Sequence, residues 1–151
     1  MLLLLTVLAA RAGASPAGAW EAVRPGGRTS CAGGGEFVFF FRRATSGHPR
    51  NDLVVEFEGG GCCYNKFTCA LPSYTRKVDV GAELLYLGSR GGIGSATDPR
   101  NPVRGWHHLY IPYCTGDAHT GNHTPAYGVR HVGRENVMSA MRWAIANLTL
   151  R

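Results

Sequence analysis

The segment Leu53-Val54-Val55-Glu56-Phe57, followed by Glu58-Gly59-Gly60-Gly61, constrains the fold more than any other part of the chain. Val54 and Val55 are β-branched and Phe57 is aromatic, side chains that pack well on a pleated surface, so the run predicts a strand. The three glycines cannot extend it. Lacking Cβ atoms, they let the backbone turn sharply and present bare N–H groups to whatever approaches. A glycine triplet taken alone marks only a turn or a close packing contact. A phosphate cradle is disfavoured, because no Gly-Lys-Ser/Thr follows and no helix clearly starts there.

The other elements are placed around this one. Phe37–Phe41 is a short aromatic run that predicts a buried strand, and His108–Ile111, closed by Pro112, predicts a further one. Glu21–Gly35 is rich in turn formers, and Gly47–Asp52 is a turn. Cys62–Gly105 reads as long, irregular and polar, with Gly91–Gly94 in its middle. Gly133–Asn147 predicts a helix in which Val137, Met141, Ala144, Ile145 and Leu148 form one apolar stripe, with Trp143 off it. Strands separated by helical or long irregular crossovers predict an α/β fold with a mainly parallel sheet and flanking helices. The last helix should feed another parallel strand, so the domain reads as incomplete.

With 44% hydrophobic and 17% charged residues the composition is that of a globular chain, and 151 residues suit one domain. The net charge of +6 comes mainly from scattered arginines (Arg24, Arg42, Arg43, Arg76, Arg90, Arg104, Arg130, Arg142) that form no block. Nucleic-acid binders cluster such charge on one element, so a solvated surface is expected and nucleic acid is not a partner. Met1–Ala19 reads as a secretory signal, leaving residues 20–151 as the domain. Its apolar core Leu2–Ala10 is too short to span a bilayer, and small-residue cleavage patterns follow at Ala12-Gly13-Ala14 and Ala17-Gly18-Ala19. A trimmed membrane anchor is the alternative; beyond the signal no membrane role is expected. Secretion makes the five cysteines candidate disulfide formers, with one left over. Asn122 and Asn147 head glycosylation sequons.

Leu53–Asn65 with Thr68-Cys69 resembles the strand-plus-glycine block of the pectin acetylesterase/Notum family. Tyr110-Ile111-Pro112-Tyr113-Cys114-Thr115-Gly116-Asp117-Ala118-His119 resembles that family's second block, and the likeness runs from about Trp20 onward. The resemblance implies the N-terminal half of an α/β-hydrolase fold and a secreted, extracellular or cell-wall enzyme. Such an enzyme cleaves carboxylic esters with a Ser-His-Asp triad, its substrate an acetylated polysaccharide or another ester. It also implies that the N–H groups of Gly60 and Gly61 form part of the oxyanion hole, since the loop after the third strand supplies it in such hydrolases. Gly59 and Asp117 are expected to line the pocket. Implied disulfides are Cys31 with Cys114 and Cys63 with Cys69; Cys62, where the family usually has another residue, is then odd, and a shuffled pairing through it stays open. No cofactor and no metal are implied, because the chemistry uses side chains.

Cys114, Asp117 and His119 contain a nucleophile, an acid and a base, but residues this close on one loop rarely meet triad geometry. His107, His108, His119, His123 and His131 lack helix-spaced pairing with an acidic partner and are expected to be surface or loop histidines rather than metal ligands. Gly92-Ile93-Gly94-Ser95-Ala96 is no nucleophile elbow, its serine standing one place late. No triad residue is assigned, since the nucleophile follows a later strand in this fold, and the chain alone is expected to be inactive. A non-catalytic secreted module binding carbohydrate or protein, or a piece of a longer hydrolase with no separate role, are the other readings.

Overall fold

The computed structural model describes residues 18–45 and 52–148; most of the expected signal segment and of the 47–52 turn lie outside these. The described strands are β1 (Trp20–Val23), β2 (Phe39–Arg42), β3 (Leu53–Phe57) and β4 (His107–Ile111), in the sheet order β1-β2-β4-β3. Strand β2 runs against both neighbours, whereas β3 and β4 are parallel. The sheet is therefore mixed rather than mainly parallel. The reason is connection type: β1 folds back to β2 through one loop, while β3 reaches β4 only by a crossover long enough to hold a helix. That helix is α1 (Val80–Ser89), and the second is α2 (Gly133–Asn147).

Two of these elements run against the sequence expectation. Glu21–Gly35 was expected to be turn-rich, but β1 at its start pairs residue by residue with Phe39–Arg42. It makes the glycine-terminated strand the third in chain order. The segment 62–105 is not irregular throughout: the Asp79 side chain accepts from the Ala82 N–H at 3.1 Å and caps α1. An N-cap aspartate just before an apolar run is a helix-start signal; Gly81 and Gly88, poor helix formers, obscure it.

The two faces of the sheet differ. On one, Phe39, Phe41, Leu109 and Ile111 are fully buried under Ala140 and Ala144 of α2, with Val137, Met141, Trp143 and Leu148 packed around them. Trp143 meets Phe39 and Phe41 edge-on, at centroid distances of 5.4 and 5.0 Å. It belongs to the buried face, and Ile145, assigned to that face by spacing, is 69% exposed. The start of α2 is tied to the loop before β2, where Asn136 accepts from the Ser30 N–H and donates to the Ser30 carbonyl.

On the other face Val38, Phe40, Leu87 and Tyr110 pack beneath α1, beside a polar row. Arg42 and His108, both expected at the surface, are buried here at 2% and 1% exposure. His108 Nε2 lies 2.9 Å from Glu56 Oε2, and Arg90 bonds the other Glu56 oxygen. Burial alone would raise the Glu56 carboxyl; hydrogen bonds from Arg90 and His108 hold it below its usual value. Burial, then the neighbouring Arg42, pushes His108 down to about 4 against the pull of Glu56. On α1, burial, then Glu58 and Asp79, pushes Glu83 up to about 7.

Packing predicts that Trp143→Ala costs about 3 kcal/mol while Ile145→Ser changes stability by less than about 0.5 kcal/mol. Urea unfolding measures both. The titrations predict a partial offset. His108 stays neutral in the fold down to about 4, while the unfolded chain protonates near 6.5. Stability therefore falls, by up to about 3 kcal/mol, as pH drops through that window. Glu83 keeps a proton up to about 7 that the unfolded chain releases near 4.5, so its contribution is lost as pH rises. Where the windows overlap Glu83 offsets part of the loss from His108 and from His107, which burial, then Arg43, also lowers, and Glu83→Gln should steepen the decline on acidification. A Glu83→Gln chain with no such decline contradicts a neutral His108.

Candidate active site

The parallel β3 and β4 leave the sheet at the same end, and their exit loops are bonded to each other. The ladder runs one step past β3, the Glu58 N–H donating to the Ile111 carbonyl at 3.0 Å. The Glu58 carboxylate then accepts from the Tyr113 N–H at 2.7 Å, and its carbonyl receives His119 Nε2 at 2.9 Å. This contact places the His119 ring proton on Nε2. Beyond, the Cys63 N–H donates to the Gly116 carbonyl at 2.8 Å.

Gly59 and Gly60 lie in an open groove of about 430 Å³, walled by Glu58, Pro72, Ser73, Tyr74, Thr75 and Tyr113. At Gly60 the requirement for glycine is imposed by a neighbour: a Cβ would stand 2.3 Å from the Tyr113 ring. The Gly60 N–H meets no acceptor among the described residues. Gly61 differs. Its N–H donates to the Ser73 carbonyl at 2.8 Å, so of the two expected donors only that of Gly60 is unengaged among the described residues. The physical reason is that Pro72–Thr75 folds back over the glycines, Ser73 facing Gly61 directly.

Asp117, expected at the pocket, lies outside the groove lining. Oδ1 accepts from Thr115 Oγ1 at 2.6 Å and the His119 N–H at 3.1 Å, and Oδ2 from the Gly133 N–H at 2.8 Å. The carboxylate thus braces the loop and caps the N-terminus of α2, where negative charge is favoured. The loop needs the support: Ala118 and His119 both adopt the left-handed region, at φ 52° and 61°. The Tyr113 hydroxyl accepts from the Ala118 N–H at 2.7 Å, fixing the ring that shapes the groove.

Cys31 is bonded to Cys114 and Cys63 to Cys69, with Cys62 free and exposed. Cys114 is thereby no nucleophile. The ligand atoms of Cys63, Cys69 and His131 lie within 4.8 Å of one another, but the sulfurs are joined and neither is a thiolate. His131 is buried, bonded to the Thr115 carbonyl and the Tyr127 hydroxyl, where a surface or loop position was expected. Asn122 and Asn147 are both exposed. A second groove of about 430 Å³ at Gly92, Ile93, Asp98 and Arg100–Pro102 offers little chemistry. Its Asp98 is already held by Arg100, and Asn101 donates inward to the Ile93 and Ser95 carbonyls. Glu58, Ser73 and Tyr113 were missed from sequence as site residues, although Glu58 and Tyr113 stand inside the two blocks that carried the resemblance.

A four-stranded order β1-β2-β4-β3, with a glycine turn after the third strand and helices on both faces, defines part of an α/β-hydrolase fold. Two crystal forms of the Wnt deacylase Notum from Drosophila share it. One has a TM-score of 0.58 at 23% identity, covering 78% of this chain and 35% of that one. The other has a TM-score of 0.62 at 22% identity, covering 85% and 37%. The Pectinacetylesterase family profile matches residues 22–145, and the chain belongs to that family. A palmitoleoyl-protein carboxylesterase notum2 of Xenopus laevis is 31% identical over 88 residues; the match spans 55% of this chain and 17% of that relative.

Asp117→Ala is expected to destabilise the chain by about 2–3 kcal/mol, since it strands donors at a helix start and in a strained loop. Asp117→Asn, which keeps one acceptor oxygen, should lose less. Urea midpoints of the two variants decide it; equal stabilities would show that the carboxylate does not brace the loop.

Proposed function

We propose that these residues form the oxyanion-binding side of a secreted carboxylic ester hydrolase acting on acetylated extracellular polysaccharide by a serine mechanism. The observation that carries the reading is the Gly60 N–H, unpaired among the described residues in a groove at the end of the third strand. A donor aimed where negative charge develops on an acyl oxygen stabilises the tetrahedral transition state, and losing one costs roughly 100- to 1000-fold in rate. The groove would receive the ester, with Tyr113 and Tyr74 as walls and Gly59 leaving room beside the donor. No cofactor enters the chemistry. The 151 residues contain no Gly-x-Ser-x-Gly, so the nucleophile is not assigned among them. The two disulfides support an oxidising compartment, and exposed Asn122 and Asn147 would be its glycosylation sites. No described helix is long and apolar enough to cross a membrane.

A second reading is a non-catalytic module that binds carbohydrate or protein. Tyr64 at 75%, Phe67 at 83% and Leu71 at 58% exposure favour it, standing on the loop that leads into the groove wall.

The proposal is tested by titrating ¹⁵N-labelled chain with a methylphosphonate ester, a stable mimic of the tetrahedral oxyanion. The Gly60 amide should shift saturably, and the Gly61 amide only as far as the phosphonate displaces the Ser73 carbonyl. In parallel, the chain should hydrolyse p-nitrophenyl acetate no faster than buffer does. A Gly60 amide that ignores the phosphonate sinks the oxyanion reading, and turnover by the chain would assign a nucleophile within it.

A further inference from the structure

The polar row beneath α1 opens on a separate cavity of about 230 Å³, lined by Trp20, Arg42, Leu87, Arg90 and the 94–97 loop. Arg42 reaches it from the sheet with only 2% of its surface exposed. Its Nη1 donates to the Gly94 carbonyl at 2.8 Å, its Nη2 faces His108 Nδ1 at 3.4 Å, and the guanidinium lies 5.0 Å from the Trp20 ring centroid. None of these partners carries a negative charge. The nearby carboxylate, Glu56, is engaged on one oxygen by Arg90 and on the other by His108. Arg90 itself has a buried Nη1 without a hydrogen-bond partner among the described residues. Residues 1–17, 46–51 and 149–151 contain neither Asp nor Glu, so they supply no further acidic side chain.

The charges therefore do not balance. Two guanidiniums stand against one carboxylate, with His108 held neutral at ordinary pH. Glu83 on α1 also feels Arg90, but burial, then Glu58 and Asp79, leave it only partly ionised near neutrality. A buried cation without a counter-ion is strongly unfavourable unless something compensates it. The rim offers what a ligand needs. Ser95 Oγ accepts from the N–H groups of Thr97 and Asp98, leaving its proton for an acceptor, and the Thr97 hydroxyl lies 3.5 Å away. Trp20 spends its indole N–H on the Leu87 carbonyl, so it presents a ring face only.

We propose that this cavity is a binding site for a small monovalent carboxylate, paired with Arg42 and Arg90 and hydrogen-bonded at its mouth by Ser95 and Thr97. One uncompensated charge calls for a monoanion, and a planar guanidinium fork matches a planar carboxylate. The volume lies below the roughly 300–1,000 Å³ of sites for drug-sized ligands, which limits the occupant to a small acid. Arg42 and His108 pair with one another at the start of β4, whereas the glycine groove lies past its end, so the proposal does not depend on the esterase reading.

The test is a titration of the full ¹⁵N-labelled chain with sodium acetate at fixed ionic strength, with inorganic phosphate and chloride in parallel arms. The Trp20 indole and the Ser95 and Thr97 amides should shift saturably with acetate, weakly with phosphate and not with chloride, and acetate should raise the Tm. Arg42→Met should abolish the response. In case that variant does not fold, Thr97→Val removes only an exposed hydroxyl and should weaken acetate by about threefold or more while leaving the Tm in chloride unchanged. Equal responses to acetate and chloride, tighter binding of phosphate, or undiminished acetate binding by Thr97→Val would each overturn the proposal.

Discussion

The parallel pairing of β3 with β4 is the constraint on which the rest of the structure depends. It delivers two chain segments to the same end of the sheet with matched register, Phe57 beside Ile111. The next residues have no freedom to diverge, because Glu58 continues the ladder with its N–H and then takes the Tyr113 amide with its side chain. Tyr113 is thereby set against Gly60, and the ring occupies the space a side chain there would need. The bare amide in the groove is a consequence of this packing. Glycine at that position is demanded by contact with a neighbouring loop as well as by any need for an unusual turn.

How much of this was legible follows from where each signal resides. Strand β3 and helix α2 were read with the bounds observed, because a β-branched run before glycines and a periodic apolar stripe are local patterns. Strand β1 was not legible: four residues, half-buried throughout, owe their conformation to pairing with Phe39–Arg42 rather than to their own propensity. The same holds for burial of Arg42 and His108, which depends on their meeting across the β2–β4 register. Ile145 sits beside Ala144 in sequence, yet only the smaller residue lies under the sheet, and spacing alone does not separate them. The glycine block was found as a motif, but the bond between Gly61 and Ser73 joins residues whose approach nothing local announces.

The contrast between the two sheet faces shows where the fold places its stability and where it accepts cost. Under α2 the core is apolar and aromatic, the kind of burial that stabilises without specifying charge. Under α1, Arg42, Glu56, Arg90 and His108 are taken out of water together. Desolvation drives His108 and Arg42 toward their neutral forms and would drive Glu56 likewise but for its two donors. Replacing such a row by apolar residues would in general be neutral or stabilising. Its presence alongside a cavity argues for a role beyond holding the sheet together.

The difference between Gly60 and Gly61 bears on how the groove would work. If both amides are to face one oxyanion, the Gly61 bond to the Ser73 carbonyl must open. A neutral backbone bond contributes about 1 kcal/mol net, whereas one to a charged acceptor contributes about 1.5–3 kcal/mol. Exchange of Ser73 for an oxyanion is therefore favourable on balance once the Pro72–Thr75 wall gives way. That wall is held across the groove by Thr75, whose hydroxyl donates to the Tyr113 carbonyl at 3.0 Å. Thr75 fixes the wall to β4's exit loop while Ser73, two residues earlier, occupies the donor, so on the proposed reading the second amide is released only when negative charge has formed to claim it. Such a donor discriminates in favour of the transition state over the ground state, which is what catalysis requires of it.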